Sequence, residues 1–280
     1  MNTYNTIAET QSFVHQCRQN NLKIGFVPTM GALHQGHLSL IEKAKAENDI
    51  VIASIFVNPI QFNNKEDLQK YPRTLEKDAA MLQSIGCDAI FAPSETEMYP
   101  EPDTTVFDFG MLDKVMEGKF RPGHFNGVAV VVKRLFEIVK PDNAYFGEKD
   151  YQQLQIIKAM VAQKNLAVNI IPYPIVREAD GLAMSSRNMR LTEEERTIAP
   201  FIHKTLSEAK EKAKQLSPSE LTTWVLNQIQ IQAIMKTEYF EIVDASTLLA
   251  ITNWNDSEHA IGCIAIFLGN VRLIDNILLK

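Results

Sequence analysis

Short, nearly continuous apolar runs alternate along this chain with stretches whose apolar positions recur at helical spacing. Residues 24–27 form the first run, and residues 49–57 are almost wholly apolar. Runs of that kind suit central strands of a parallel sheet, buried on both faces. Residues 89–92, 143–146 and 166–171 add shorter ones. Helical spacing fills the intervals: residues 6–20, with Ile7, Phe13, Val14 and Cys17 on one side, then 38–47, 75–85, 127–139 and 151–163. Strand and helix alternating in this way predict an α/β fold, a Rossmann-like, doubly wound, mostly parallel sheet.

The pattern changes at Tyr173-Pro174. Beyond it come a charged helical stretch at 193–215, a helix at 219–235, and strands at 239–243, 261–268 and 271–279. The last two are joined by Gly269-Asn270, a hairpin signal. Residues 1–174 are therefore expected to form the Rossmann-like domain, and residues 175–280 a smaller α+β C-terminal domain serving as a lid.

Against that frame one stretch concentrates chemistry. The run ending at Val27 leads into Pro28-Thr29-Met30-Gly31-Ala32-Leu33-His34-Gln35-Gly36-His37, and a helical pattern opens at Leu38. A strand-to-helix turn aims backbone N–H groups and the positive end of a helix dipole at whatever lies beyond the sheet. Gly31 and Gly36 let a ligand approach the backbone, and His34 and His37 can share one face. Imidazoles there can donate to phosphate oxygens, so a nucleoside triphosphate is the natural ligand. A metal site would need further ligands, and no Cys or His cluster accompanies the pair.

Other motifs are individually weaker. Asn58-Pro59-Ile60-Gln61-Phe62 ends an apolar strand with uncharged amides, which suit a small substrate carrying hydroxyl and carboxylate groups; alone it reads as a strand terminator. In Gly147-Glu148-Lys149-Asp150, Lys149 can cancel triphosphate charge, and Asp150 is either a helix N-cap or a ribose contact. Gln153 falls one turn further on. Met184-Ser185-Ser186-Arg187-Asn188 offers hydroxyls and a guanidinium for an anion, with Arg177 and Arg190 nearby, although a solvated loop is the usual reading of such a string. The segment 117–127 reads as an irregular loop, and His124 within it is catalytic by residue type or, the reading given more weight, structural. No Gly-x-x-x-x-Gly-Lys-Ser/Thr loop occurs.

The 280 residues carry a net charge of −6, which argues against bulk nucleic-acid binding. The cysteines, Cys17, Cys87 and Cys263, are unpatterned and read as buried thiols in a reducing compartment. Neither a signal core nor a membrane-length apolar run is present, so cytoplasm is the default and no membrane partner is expected.

The His34-Gln35-Gly36-His37 signature resembles that of the nucleotidyl-transferring superfamily that includes class I aminoacyl-tRNA synthetases. The longer string, with the later motifs, resembles the pantoate–β-alanine ligase family over nearly the whole chain. That resemblance implies ATP-dependent condensation of pantoate with β-alanine to pantothenate through a pantoyl adenylate, with release of AMP and pyrophosphate. It implies that Met30 through His37 (Met30, Gly31, Ala32, Leu33, His34, Gln35, Gly36, His37), Gly147, Glu148, Lys149, Asp150, Val176, Met184, Ser185, Ser186 and Arg187 bind ATP. His34, His37, Lys149, Ser186 and Arg187 would act in catalysis, Gln61 and Gln153 would hold pantoate, and Gln61 would also lie near β-alanine. Magnesium would bridge phosphate oxygens rather than occupy a protein cage. A homodimer is implied, and segment 117–127 resembles a flap. Gln35 departs from the pattern, which leads one to expect an acidic residue there. A single-step nucleotidyltransferase of the same superfamily is the alternative; a nucleotide sensor without turnover is a further rival.

Overall fold

The computed structural model describes residues 1–62 and 65–280. In chain order its elements are β1 (Asn2–Tyr4), α1 (Ile7–Gln19), β2 (Ile24–Thr29), α2 (Gln35–Glu47), β3 (Ile50–Ile55), α3 (Lys65–Lys70), α4 (Leu75–Ser84), β4 (Ala89–Phe91), α5 (Glu95–Met98), α6 (Met116–Phe120) and α7 (His124–Val139). Then follow β5 (Asn143–Gly147), α8 (Tyr151–Lys164), β6 (Asn169–Tyr173), α9 (Glu193–Ile198), α10 (Phe201–Lys212), α11 (Pro218–Gln230), β7 (Met235–Asp244), β8 (Ala260–Leu268) and β9 (Val271–Leu278). Single 3-10 turns lie at Pro59–Gln61, Glu148–Asp150, Ser186–Arg190 and Trp254–Asp256.

Two compact units share these elements. One comprises Met1–Phe109, Arg121–Glu148 and Gln153–Pro174; the other comprises Gly110–Phe120, Lys149–Gln152 and Ile175–Lys280. The expectation of a single boundary at residue 174 differs from this. The last boundary coincides, but two short stretches from the middle of the chain group with the C-terminal unit.

The first unit is built on a six-stranded sheet in the order β1-β4-β3-β2-β5-β6, with every pairing parallel. From β2 the chain passes to β3 on one side and returns later as β5 on the other. The strand order therefore reverses between β2 and β5, the switch point beyond whose carboxyl ends such sheets bind ligands. Strand burial explains the unbroken apolar runs: Ile24, Phe26 and Val27 of β2 and Val51, Ile52 and Ala53 of β3 are all buried. Pro172 sits in β6, an edge strand, where a missing N–H is tolerated. Thr6 caps α1 in a capping box with Glu9.

The second unit carries an antiparallel sheet in the order β7-β8-β9, with α10 and α11 supplying apolar side chains to its core. Gly269 takes φ +56° at the hairpin between β8 and β9, as the Gly-Asn step leads one to expect. The charged stretch 193–215 is two helices, because Ala199-Pro200 separates them: Pro200 has no N–H with which to continue α9. Segment 117–127 is also more regular than expected, since α6 and the start of α7 occupy it. Among the described residues no helix is long and apolar enough to cross a membrane.

Candidate functional site

Three of the sequence motifs leave three neighbouring strands. Met30 to His37 follows β2, Asn58 to Gln61 follows β3, and Gly147 closes β5; β3, β2 and β5 are adjacent in the sheet. Because all three strands are parallel, the motifs leave the sheet at the same end.

The turn after β2 is held by a residue that no motif announced. Asp78 of α4 is buried, at 1% exposure, and its carboxylate accepts the N–H groups of Ala32 and Leu33, each at 2.9 Å. Thr74 also donates to it, at 3.1 Å. The two N–H bonds secure Ala32 in the left-handed region, φ +51°, directly after Gly31 at φ +81°. A Cβ on Gly31 would meet the Asp78 carboxylate at 3.0 Å. The glycine is thus required twice over, by its φ and by the close approach.

His34 is the N-cap of α2. Its Nδ1 accepts the Gly36 N–H at 3.2 Å, while the Nδ1 of His37 accepts the His34 N–H at 3.3 Å. An accepting Nδ1 carries no proton, so each neutral ring is the Nε2–H tautomer. The pair therefore offers two N–H donors at a helix N-terminus, a suitable arrangement for oxyanions. Gln35, between them, is exposed.

Gln61 is buried and lies against the same turn, its Nε2 donating to the Met30 thioether at 2.9 Å. Asn58 donates to the Gln61 side-chain oxygen at 3.2 Å and to the Gly127 carbonyl at 3.0 Å, and accepts from the Tyr99 hydroxyl at 3.0 Å. Burial, foremost, raises the Tyr99 hydroxyl well above its ordinary pKa, which keeps it a donor. His124 is buried at the head of α7, with its Nδ1 2.8 Å from the Gln61 carbonyl. Gln153 lies half-buried on α8.

The second unit holds the remaining candidates. Lys149 pairs with Asp150 at 3.2 Å. Lys149, Ser185, Arg187, Asn188, Arg272 and Asp275 all line one small cavity of about 10 Å³. Two motifs that lie far apart in sequence are thus neighbours. Ser185 receives the Arg187 N–H at 3.2 Å and so starts the 3-10 turn Ser186–Arg190, and Asn188 donates to the Ala183 carbonyl at 3.0 Å. Val176 accepts the Met184 N–H at 3.0 Å, so its carbonyl is engaged in a narrow hairpin.

Around these groups lies a buried ionic network. Arg272 forks onto Glu117 at 2.9 and 2.6 Å and also pairs with Glu238. Burial works against the guanidinium charge, but Glu117 and Glu238 outweigh it and raise the Arg272 pKa above its usual value. Tyr239 donates to Glu117 at 2.9 Å; burial and then the Glu117 charge push its hydroxyl far up. Gln152 holds the stretch before α6, donating to the Leu112 and Val115 carbonyls at 2.7 and 2.9 Å and accepting the Glu117 N–H at 3.0 Å. Among the described residues no group of three or more His, Cys, Asp or Glu could hold a metal ion. All three cysteines are buried and free, and burial pushes the Cys87 thiol up to about 11.

Comparison with known proteins bears on what this arrangement serves. The model of a family described as pantoate-beta-alanine ligase matches residues 2–278. Curated pantothenate synthetases of Porphyromonas gingivalis and Bacteroides fragilis are 55% and 51% identical to the chain. The alignments cover 99% of both sequences in the first case, and 100% of this chain and 99% of the relative in the second. Pantothenate synthetase of Thermus thermophilus superposes with a TM-score of 0.94 at 44% identity, covering 100% of each chain. A pantoate-beta-alanine ligase of Francisella tularensis, solved with beta-gamma ATP and beta-alanine, gives 0.83 at 40% identity over 100% of this chain and 98% of that one.

Proposed function

The chain belongs to the pantoate-beta-alanine ligase family, and from that premise we propose that it joins pantoate to β-alanine at the expense of ATP through a pantoyl adenylate. The pantoate carboxylate attacks the α-phosphorus, and pyrophosphate leaves. The amine of β-alanine then attacks the acyl carbon, giving pantothenate and AMP. The observation that carries the reading is the His34–His37 pair at the head of α2, each ring held at Nδ1 by a backbone N–H. Donors fixed before the substrate arrives stabilise charge as it develops, at no cost in reorganisation.

Met30 to His37, with Gly147 and Glu148, are the proposed nucleotide contacts of the first unit. Lys149, Asp150, Val176 and the segment from Met184 to Arg187 are those of the second. Lys149, Ser186 and Arg187 would neutralise phosphate charge. Gln61 and Gln153 would hold pantoate, and Gln61 would adjoin the incoming amine. The clustering of Lys149 with Ser185 and Arg187 supports their acting on one anion. Magnesium suits this donor set as a phosphate-borne ion, since it keeps waters and binds through substrate oxygens.

Incubation with ATP, magnesium and pantoate, without amine, tests the chemistry by mass spectrometry. Pantoyl adenylate should appear, and should convert to pantothenate and AMP when β-alanine is added. Release of ADP, or of pyrophosphate without pantoate, would contradict the reading. A homodimer is also proposed, on the family resemblance; light scattering should give twice the 31.6 kDa chain mass. The same reading proposes the cytoplasm, which cell fractionation checks.

A further inference from the structure

Lys149 and the segment from Ser185 to Arg187 reach one cavity from distant parts of the sequence, and something must set their spacing. Both are tied to two consecutive residues of β9. Asn276 donates its side-chain N–H to the Lys149 carbonyl at 3.0 Å. Its own backbone N–H is taken by the Asp275 carboxylate at 2.8 Å. Asp275, 4% exposed, receives the Arg177 guanidinium as a fork, at 2.7 and 2.9 Å. Arg177 also donates to the Gly181 carbonyl at 3.2 Å, and it bridges to Ala183 across the hairpin that delivers Met184 and Ser185. One strand, paired to β8 at Ile264 and Cys263, thus fixes the main chain at Lys149 on one hand and the root of the Ser185–Arg187 turn on the other.

We infer that Asp275 and Asn276 are positioning residues for the phosphate-binding groups, acting through Lys149 and Arg177; this rests on the nucleotide-binding role proposed above. The physical reason lies in the side chains being placed. Lys and Arg heads ride on long flexible stems, so their average position depends on where the main chain is held. A bidentate pair between planar groups specifies orientation as well as distance, which a monodentate contact does not. Neither residue belongs to a recognisable motif, because the signal is a pair of contacts made across long stretches of sequence.

The full-length enzyme tests this with Asn276→Ala and Asp275→Asn. Asn276→Ala should lower kcat/KM for ATP about tenfold, the scale of one lost buried hydrogen bond, and Asp275→Asn, which breaks a buried fork, should lower it further. KM for β-alanine should stay within about twofold of the parent, since neither contact leads to Gln61, its proposed neighbour. Because Asn276 acts through Lys149, the double variant Lys149→Ala/Asn276→Ala should be no worse than Lys149→Ala alone. Losses that multiply in the double variant, or that fall equally on all three substrates, would overturn the inference. Should Asn276→Ala fold poorly by circular dichroism, Asn276→Ser carries the same comparison, with a donor on a shorter arm. A parent enzyme that makes no AMP would refute the ligase reading alone. Calorimetric affinity for α,β-methylene-ATP would still decide the positioning role, and equal affinity in parent and variants would end it.

Discussion

The rings of His34 and His37 lie with centroids 4.1 Å apart and planes tilted by 44°, each Nδ1 occupied by a backbone N–H. The arrangement locks tautomer and direction together. Replacing His37 with alanine removes one preset donor and the acceptor of the His34 N–H. Adenylate formation is expected to fall about a hundredfold or more. Quenched-flow measurement of pantoyl adenylate, beside a thermal melt that stays close to the parent, checks this. An unchanged single-turnover rate would remove His37 from the chemistry.

Asp78 predicts a different phenotype, one of stability first. Asp78→Ala leaves the buried N–H groups of Ala32 and Leu33 without their acceptor, each worth about 1–3 kcal/mol when unsatisfied. Urea denaturation should show a loss of that order per group. Binding of an ATP analogue should weaken as the turn relaxes. Parent-like stability would mean that the backbone finds other partners.

Gly127 is a steric prediction. A Cβ there would stand 2.8 Å from both Cα and N of Gln61 and from the Ile60 carbonyl oxygen. These are backbone atoms and cannot rotate away. Gly127→Ala should cost about 1–3 kcal/mol of stability through overpacking. It should also raise KM for pantoate more than KM for ATP, because the displaced residue is Gln61. Equal changes in both would separate Gln61 from pantoate.

Acid stability should respond to Asp244. Hydrogen bonds from Ser257, foremost, and from Ser246 and Thr247 hold its carboxyl well below the ordinary carboxylate range. A lowered native pKa means that the unfolded chain takes the proton first. The contribution is therefore present above the unfolded pKa of about 3.9 and is lost as pH falls below it. Asp244→Asn should lower stability at pH 7 and flatten its decline below about pH 4, as read from urea midpoints across that range. A parallel downward shift at every pH would contradict this.

What the sequence disclosed follows from where the physical signal resides. The central strands were legible because burial on both faces writes itself as an apolar run, as in 24–27 and 49–57. β1 was not, since Asn2–Tyr4 is short, polar and exposed, and is defined by its pairing with β4. The stretch 193–215 reads as continuous because charged residues at helical spacing resume beyond Pro200, from Lys204 on. The histidine turn could be found from its glycines and its context. Asp78 could not, because on the sequence it is one more acid in a charged helix and its partners lie some 45 residues away. The same holds for Glu117, Arg272 and Asp275, whose meaning is a contact rather than a local pattern. On the sequence Lys149 reads as a cation that can cancel phosphate charge, but its grouping with Ser185 and Arg187 emerges only from the folded chain.

The second unit gathers Gly110–Phe120 and Lys149–Gln152 from the middle of the chain. A gene segment encoding residues 175–280 alone would carry Arg272 with Glu238 but without its fork to Glu117, and Asn276 without the Lys149 carbonyl. A buried guanidinium that loses a partner costs several kcal/mol. Recombination between relatives with a crossover at residue 174 would set one parent's internal stretches against the other parent's β9. Substitution at 117 removes the partner of a buried guanidinium, so changes at 117 and 272 are energetically coupled, whereas the Asn276 contact is to a main-chain carbonyl that any residue at 149 would supply. The unit is assembled from three separate stretches of the chain, so no single continuous segment carries it whole.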